Sequence, residues 1–191
     1  MSRTATTVTI ILAAIVAAAL VIVRTGPPIG RDPEQGRPGI RAPEQVDARP
    51  QERDVTLFFA NAAATRLVEE PRRVSFVAGH TGALAEAALA ALIAGSQRGN
   101  APVLPAGLAT PRVFVASATA YVDMPAEIQD ANYGAAGELL AVYAIVYTVG
   151  RLPEIERVKI LIAGAERATL AGHVTLADTF SATGPPPGFG P

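Results

Sequence analysis

Between residues 55 and 180 the spacing of hydrophobic positions alternates between two residues and three to four, and each spacing names an element. Val55, Leu57 and Phe59 alternate with Thr56 and Phe58, the period of a half-buried strand, and an Ala/Asn turn follows. Arg66 to Phe76 reads as a second strand, with Pro71 marking an edge or a bulge because proline lacks the ladder's N–H. A helix opens at Thr81, the expected N-cap, runs to Ala94 and stops at Gly95. Its Leu84, Ala88, Leu89, Leu92 and Ile93 share one side, and Ala83, Glu86, Ala87, Ala90 and Ala94 make a bare opposite side. After a loop over 96–110, Arg112–Ala116 and Thr119–Met124 form a hairpin. Ser117-Ala118 predicts a distorted or longer turn, since neither residue accepts positive φ as cheaply as Asn-Gly.

Residues 125–133 are irregular, and Gly134 leads into a second helix from Ala135 to Val149. Leu139, Val142, Tyr143 and Val146 form one face of it. Gly150 offers the left-handed conformation that closes many helices, and Pro153 stands where no helix continues. Val158, Ile160 and Ile162 then alternate with Lys159 and Leu161, which predicts a strand over Arg157–Ile162. Gly172–Leu176 gives a last short extended piece. The expected fold is α+β, a small mixed sheet with two helices packed on it.

The second helix is apolar nearly all round: Leu140, Ile145 and Val149 lie off its main face, and Glu138 is its only charge. Such helices are usually buried on more than one side. Either the two helices pack on each other, or a partner covers them. Ala83, Glu86, Ala87, Ala90, Ala94, Ile145 and Val149 are therefore the candidate interface residues.

The N-terminal third follows other rules. After a short tail, 1–3, residues 4–23 carry no charge and are mostly Ile, Leu, Val and Ala, between Arg3 and Arg24. As a helix the run is about 30 Å long, the thickness of a bilayer core, so the chain is expected to be membrane-bound by a single span. The apolar run continues past Ala17-Ala18-Ala19, which favours an uncleaved anchor over a signal peptide. A literal count of flanking arginines (Arg24, Arg31, Arg37, Arg41) puts the rest in the cytoplasm, but long segments translocate largely regardless of charge. Residues 24–54 are rich in Pro, Gly and charge and read as a spacer, on the order of 30 Å for a flexible coil. The repeated Arg31-Asp32-Pro33-Glu34-Gln35 and Arg41-Ala42-Pro43-Glu44-Gln45 fit a spacer as well. The domain proper is expected over 55–183, and 184–191 is an unstructured Gly/Pro tail.

Composition narrows the chemistry. A net charge of −1 offers no electrostatic footprint for nucleic acid. The absence of cysteine excludes a disulfide framework, a thiolate nucleophile or metal site, and a lipid-modified cysteine. With two histidines and a single lysine there are few catalytic tools. His80 and His173 lack ligand spacing and read as surface or turn residues, so no metal site is expected. Asp123 reads as a hairpin-terminating carboxylate, and Glu138 as a helix-opening acid that gains from the backbone dipole and caps free amides. Neither a phosphate loop nor a nucleophile elbow is present, so catalytic residues and cofactors are both expected to be none.

Several segments resemble the GerMN domain, a family of spore-germination, sporulation and envelope lipoproteins. They are Ala87 to Gly95, Ala120-Tyr121-Val122-Asp123, Gly134 to Glu138, Ile145-Val146-Tyr147-Thr148, Leu152 to Val158 and Gly172 to Leu176. The resemblance spans residues 55 to 180 in order and spacing. It implies a fold similar to ring-building motifs, in which copies associate side by side, an extracytoplasmic position, and no catalytic residues. The sequence departs from the family in having one domain copy rather than two, no lipoprotein cysteine, and Ala118 where the hairpin turn usually has glycine. The expected function is a non-enzymatic scaffold or assembly module that binds protein partners or itself, with a ligand- or glycan-binding module as the alternative.

Overall fold

The computed structural model describes residues 49–183. The apolar run at 4–23, the spacer up to residue 48 and the tail at 184–191 lie outside the described residues. Among the described residues no helix is long and apolar enough to cross a membrane.

Two sheets enclose two helices. β1 (Pro50–Ala60) and β2 (Leu67–Val77) form a two-stranded antiparallel sheet, followed by α1 (Ala83–Ile93). β3 (Arg112–Ala116), β4 (Thr119–Met124), β5 (Arg157–Ile162) and β6 (Phe180–Ser181) line up in that order in a second sheet. β3 and β6 pair antiparallel with their neighbours, whereas β4 and β5 are parallel. That parallel pair needs a crossover, and α2 (Gly134–Gly150) supplies it after a 3₁₀ turn at Ala126–Asp130. The α+β class with two helices is as expected; the single small sheet is two sheets.

α2 packs against β1 on one side, β5 and β6 on another, and α1 on a third. Most of its apolar circumference is thus buried inside the domain. Ala141, Val142, Ala144, Ile145, Val146 and Val149 are all fully buried, together with Thr148. The Thr148 hydroxyl accepts the Phe58 N–H at 3.2 Å, so the helix itself satisfies a buried backbone donor of β1. Ala60 and Ala101 exchange backbone hydrogen bonds further along the same strand.

Several expectations are corrected by the backbone. Pro50–Asp54, assigned to the spacer, is strand and pairs with Arg73–Val77. All five residues are exposed, so no alternation announced them. Pro71 sits opposite Thr56 in an unbroken register, at an edge and without a bulge. Thr81 does not cap α1; Gly82 holds the N-cap position, and the Thr81 hydroxyl instead meets the Val115 backbone at 3.4 Å. A side chain at Gly82 would collide with the Val113 carbonyl, which explains the glycine. Gly95 is left-handed at φ 96° as expected, but Gly150 is the last residue of α2, and an added Cβ there would lie 2.5 Å from Ala182 Cβ. Close approach, rather than positive φ, selects glycine at 150. Gly172–Leu176 forms no strand; the short strand beside β5 is Phe180–Ser181.

The β3–β4 turn also differs from expectation. It is a tight two-residue turn with Ser117 at φ 48° and Ala118 at φ 57°. Both residues occupy the left-handed region that costs an L-residue roughly 1–2 kcal/mol. The turn's carbonyls are held from β5: Glu156 and Arg157 backbone N–H groups donate to Ala118, at 2.8 and 3.1 Å, and the Arg157 guanidinium donates to Ser117 at 3.3 Å. Replacing Ala118 by glycine removes the strain without touching these bonds. The variant A118G is expected to be more stable by about 0.5–1 kcal/mol, read as a higher denaturant midpoint at unchanged m-value.

Candidate interaction surfaces

Two buried carboxylates organise the loops. Glu70 on β2 is 1 % exposed and receives the Ser96 hydroxyl, the Gln97 N–H at 2.9 Å, the Asn100 amide at 3.0 Å and the Arg72 guanidinium at 2.6 Å. Arg72 also donates to the Gly95 carbonyl at 3.1 Å, fastening the end of α1. Burial pushes the Glu70 carboxyl up, but the bonds from Ser96, Arg72, Gln97 and Asn100 outweigh it and hold the pKa at about 2 instead of 4.5. Glu138 on α2 is fully buried and accepts the backbone N–H groups of Ala171, His173 and Val174 at 2.8–3.0 Å, plus His173 Nδ1 at 2.8 Å. Here too burial raises the carboxyl's pKa, and the amides and the imidazole bring it below the usual value. Glu138 therefore caps amides, as expected of it, but those of the 169–176 loop rather than of its own helix.

Other singled-out residues have equally local duties. Asp123 accepts the Gly164 N–H at 2.7 Å and closes the turn after β5. His80 pairs with Glu86 at 3.3 Å, and both side chains remain partly exposed. Among the described residues no group of His, Cys, Asp and Glu is placed to hold a metal ion. Lys159, the single lysine, is 6 % exposed, with its ammonium on the Leu176 and Ala177 carbonyls and 3.4 Å from Glu166.

The candidate interface residues separate. Ile145 and Val149 are fully buried in the core and Ala83 is buried, so none of the three is open to a partner. The β sheets on both sides of α2 account for this; the sequence could not show how many layers cover the helix. Glu86, Ala87 and Ala90 are half-buried and Ala94 is exposed. Glu86 accepts the Val113 N–H at 2.9 Å, and with Thr81 it covers the outer edge of β3. That arrangement blunts a strand edge against pairing with another chain.

Exposed apolar surface lies elsewhere. Phe114 is 64 % and Tyr121 39 % exposed, and they stand directly opposite each other on β3 and β4. Lys159 is the next residue in that row, on β5. Arg112, Asp123 and Leu161 form the neighbouring row of the same face. The opposite face, with Val113, Val122 and Ile160, is buried.

A second surface is a cleft of about 240 Å³ between α2 and the β1–β2 sheet, lined by Phe58, Leu67, Leu139, Leu140, Tyr143 and Tyr147, with Arg66 and Glu69 also at its wall. Phe58, Tyr147, Tyr143 and Phe180 form a ladder of rings at centroid separations of 5.3, 5.5 and 5.8 Å. Arg151 lies 5.8 Å over the Phe58 ring and 3.3 Å from Glu69. Burial raises the pKa of both tyrosines. The sequence placed Tyr143 on the core face but did not reveal the cleft, because Phe58 is distant in sequence from Tyr143 and Tyr147 and meets them only through β1–α2 packing.

Residues 56–168 match the family model Germane, described as sporulation and spore germination, and the chain belongs to that family. The GerMN resemblance read from the sequence is thereby confirmed over almost the whole span expected. No curated protein matches the chain. Among solved structures, the first GerMN domain of the sporulation protein GerM from Bacillus subtilis is similar at TM-score 0.51 and 21 % identity, over 66 % of this chain and 94 % of that one. The tandem GerMN domains of the same protein match at TM-score 0.52 and 20 % identity, over 69 % of this chain and 46 % of theirs. This chain thus spans less than half of the tandem protein. At these identities the likeness is one of fold.

Glu70 gives a pH prediction. Its folded pKa lies below the unfolded value, so its stabilisation is complete above pH 4.5 and is lost as pH falls toward 2. The loss is on the order of 3 kcal/mol. In urea titrations across that window, E70Q is expected to start less stable at neutral pH and to show a shallower acid decline than the parent.

Proposed function

We propose that this protein is a membrane-anchored, extracytoplasmic assembly module of the cell envelope, non-enzymatic, that docks protein partners or further copies of itself through the exposed face of its β3–β4 hairpin. The observation that carries the reading is the cross-strand pair Phe114 and Tyr121, large apolar side chains left facing solvent beside a blocked strand edge. Burying such a pair on a partner contributes about 1.5–3 kcal/mol per side chain, enough to seed an interface. The uncharged apolar run at 4–23 supports the anchor, and anchoring raises the local concentration of docking faces. Membership of a sporulation and germination family supports a role in the envelope of a cell that carries out those processes. A non-enzymatic role is supported by where the acids are spent: Glu70 and Glu138 hold loop amides instead of facing a cleft. The ligand- or glycan-binding alternative has the aromatic cleft in its favour, with Arg66 and Glu69 at its wall.

Sedimentation velocity of the full-length protein in detergent is expected to show concentration-dependent association, weakened at least tenfold by F114S or Y121S. A single-chain mass at every concentration overturns self-association. Photo-crosslinking in cells from position 112, exposed on the same face, is expected to trap a protein partner; a yield unchanged by F114S overturns the docking face. The cysteine-free sequence permits a direct test of topology. A single cysteine at exposed Ser75 is expected to react with a membrane-impermeant maleimide on intact cells; labelling only after lysis overturns the extracytoplasmic position.

A further inference from the structure

The aromatic cleft lies on the face of α2 from which the chain's C-terminal segment departs. Tyr143, Tyr147 and Gly150 are spaced by four and three residues and so share one helical face. On that face Phe180 packs edge-on against Tyr143, and Ala182 rests on Gly150, where only a glycine leaves room for it. Described chain ends at Thr183, next to the C-terminal turn of α2, and the sequence continues Gly184-Pro185-Pro186-Pro187-Gly188-Phe189-Gly190-Pro191.

Chemistry and reach match. Extended proline segments dock in grooves lined by aromatic rings, which pack against the flat pyrrolidine faces while a tyrosine hydroxyl donates to a free backbone carbonyl. Phe58, Tyr143 and Tyr147 supply the rings, Leu139 an apolar floor, and Arg66 and Glu69 the charged rim. At about 3.1 Å per residue, the residues after Thr183 span roughly 25 Å. From Gly150 back to Leu139 along the helix is only about 16 Å. A volume near 240 Å³ suits two or three ring-sized groups rather than a larger cofactor.

We propose that the Pro185-Pro186-Pro187 segment of this chain is the occupant of the aromatic cleft, docking along α2 against Tyr143 and Tyr147. The cleft is thereby a polyproline-binding site, and the segment that follows the fold is its ligand. This assignment does not depend on the envelope role or on the sheet face.

The test uses the full-length protein in detergent with its tyrosines isotope-labelled, since the chain has only four: Tyr121, Tyr133, Tyr143 and Tyr147. Relative to the parent, P185S/P186S/P187S is expected to shift the ring resonances of Tyr143 and Tyr147 and to leave Tyr121 unmoved. Adding the free peptide Gly-Pro-Pro-Pro-Gly-Phe-Gly-Pro to that variant is expected to restore the parent shifts saturably. The cleft-filling change L139F, which adds volume at a half-buried position, is expected to weaken this restoration at least tenfold while leaving thermal unfolding close to that of the parent. Identical Tyr143 and Tyr147 resonances in parent and variant overturn the proposal. So does equal restoration by the peptide with serines for prolines, or a soluble oligosaccharide that moves the same resonances where the peptide does not.

Discussion

The structure depends on one constraint: α2 is apolar around its whole circumference, so all of it but the stripe that lines the cleft must be covered. A helix of this kind next to a single sheet leaves hydrocarbon in water. The chain meets the constraint with two separate sheets and a neighbouring helix. β1 closes one side, β5 and β6 another, and α1, itself packed on β2, a third. The parallel pairing of β4 and β5 follows from it, because the helix that must lie across the sheet is also the connection between those strands.

Covering a helix so extensively directs two of its polar side chains to distant backbone. Thr148 takes the Phe58 N–H, and Glu138 takes three loop amides. In both cases a long-range connection stands where an apolar side chain would only have filled space. Glu70 repeats the device on β2 for the loop after α1. Each of these acids satisfies the amides of a segment that has no regular structure and so no ladder of its own.

Much of this was legible in the sequence. Periods of two and of three to four residues located β1 to β5 and both helices, because those elements each have a wet side and a dry one, or are long enough to count. The exposed arm Pro50–Asp54 has no dry side, so its pattern is silent and only its pairing with Arg73–Val77 defines it. The turn at Ser117-Ala118 was misread as distorted because local preference ignores Arg157, which holds it from another strand. The candidate site was less legible than the fold. Ile145 and Val149 were selected for an apolarity that proved internal, whereas Phe114 and Tyr121 looked like ordinary strand residues. A sequence states that a side chain is apolar; which layer covers it is decided by elements far along the chain.

The burial of Lys159 gives the domain an unusual chemical complexion. Its ammonium is enclosed by the Leu176 and Ala177 carbonyls and Glu166, and every other basic side chain is arginine apart from the two histidines. Amine-seeking reagents, from acylating probes to the enzymes that acylate lysine, therefore find no accessible primary amine on the folded domain. Acylation at this one position consequently distinguishes folded from unfolded chains, a chemical marker of integrity built from a single residue.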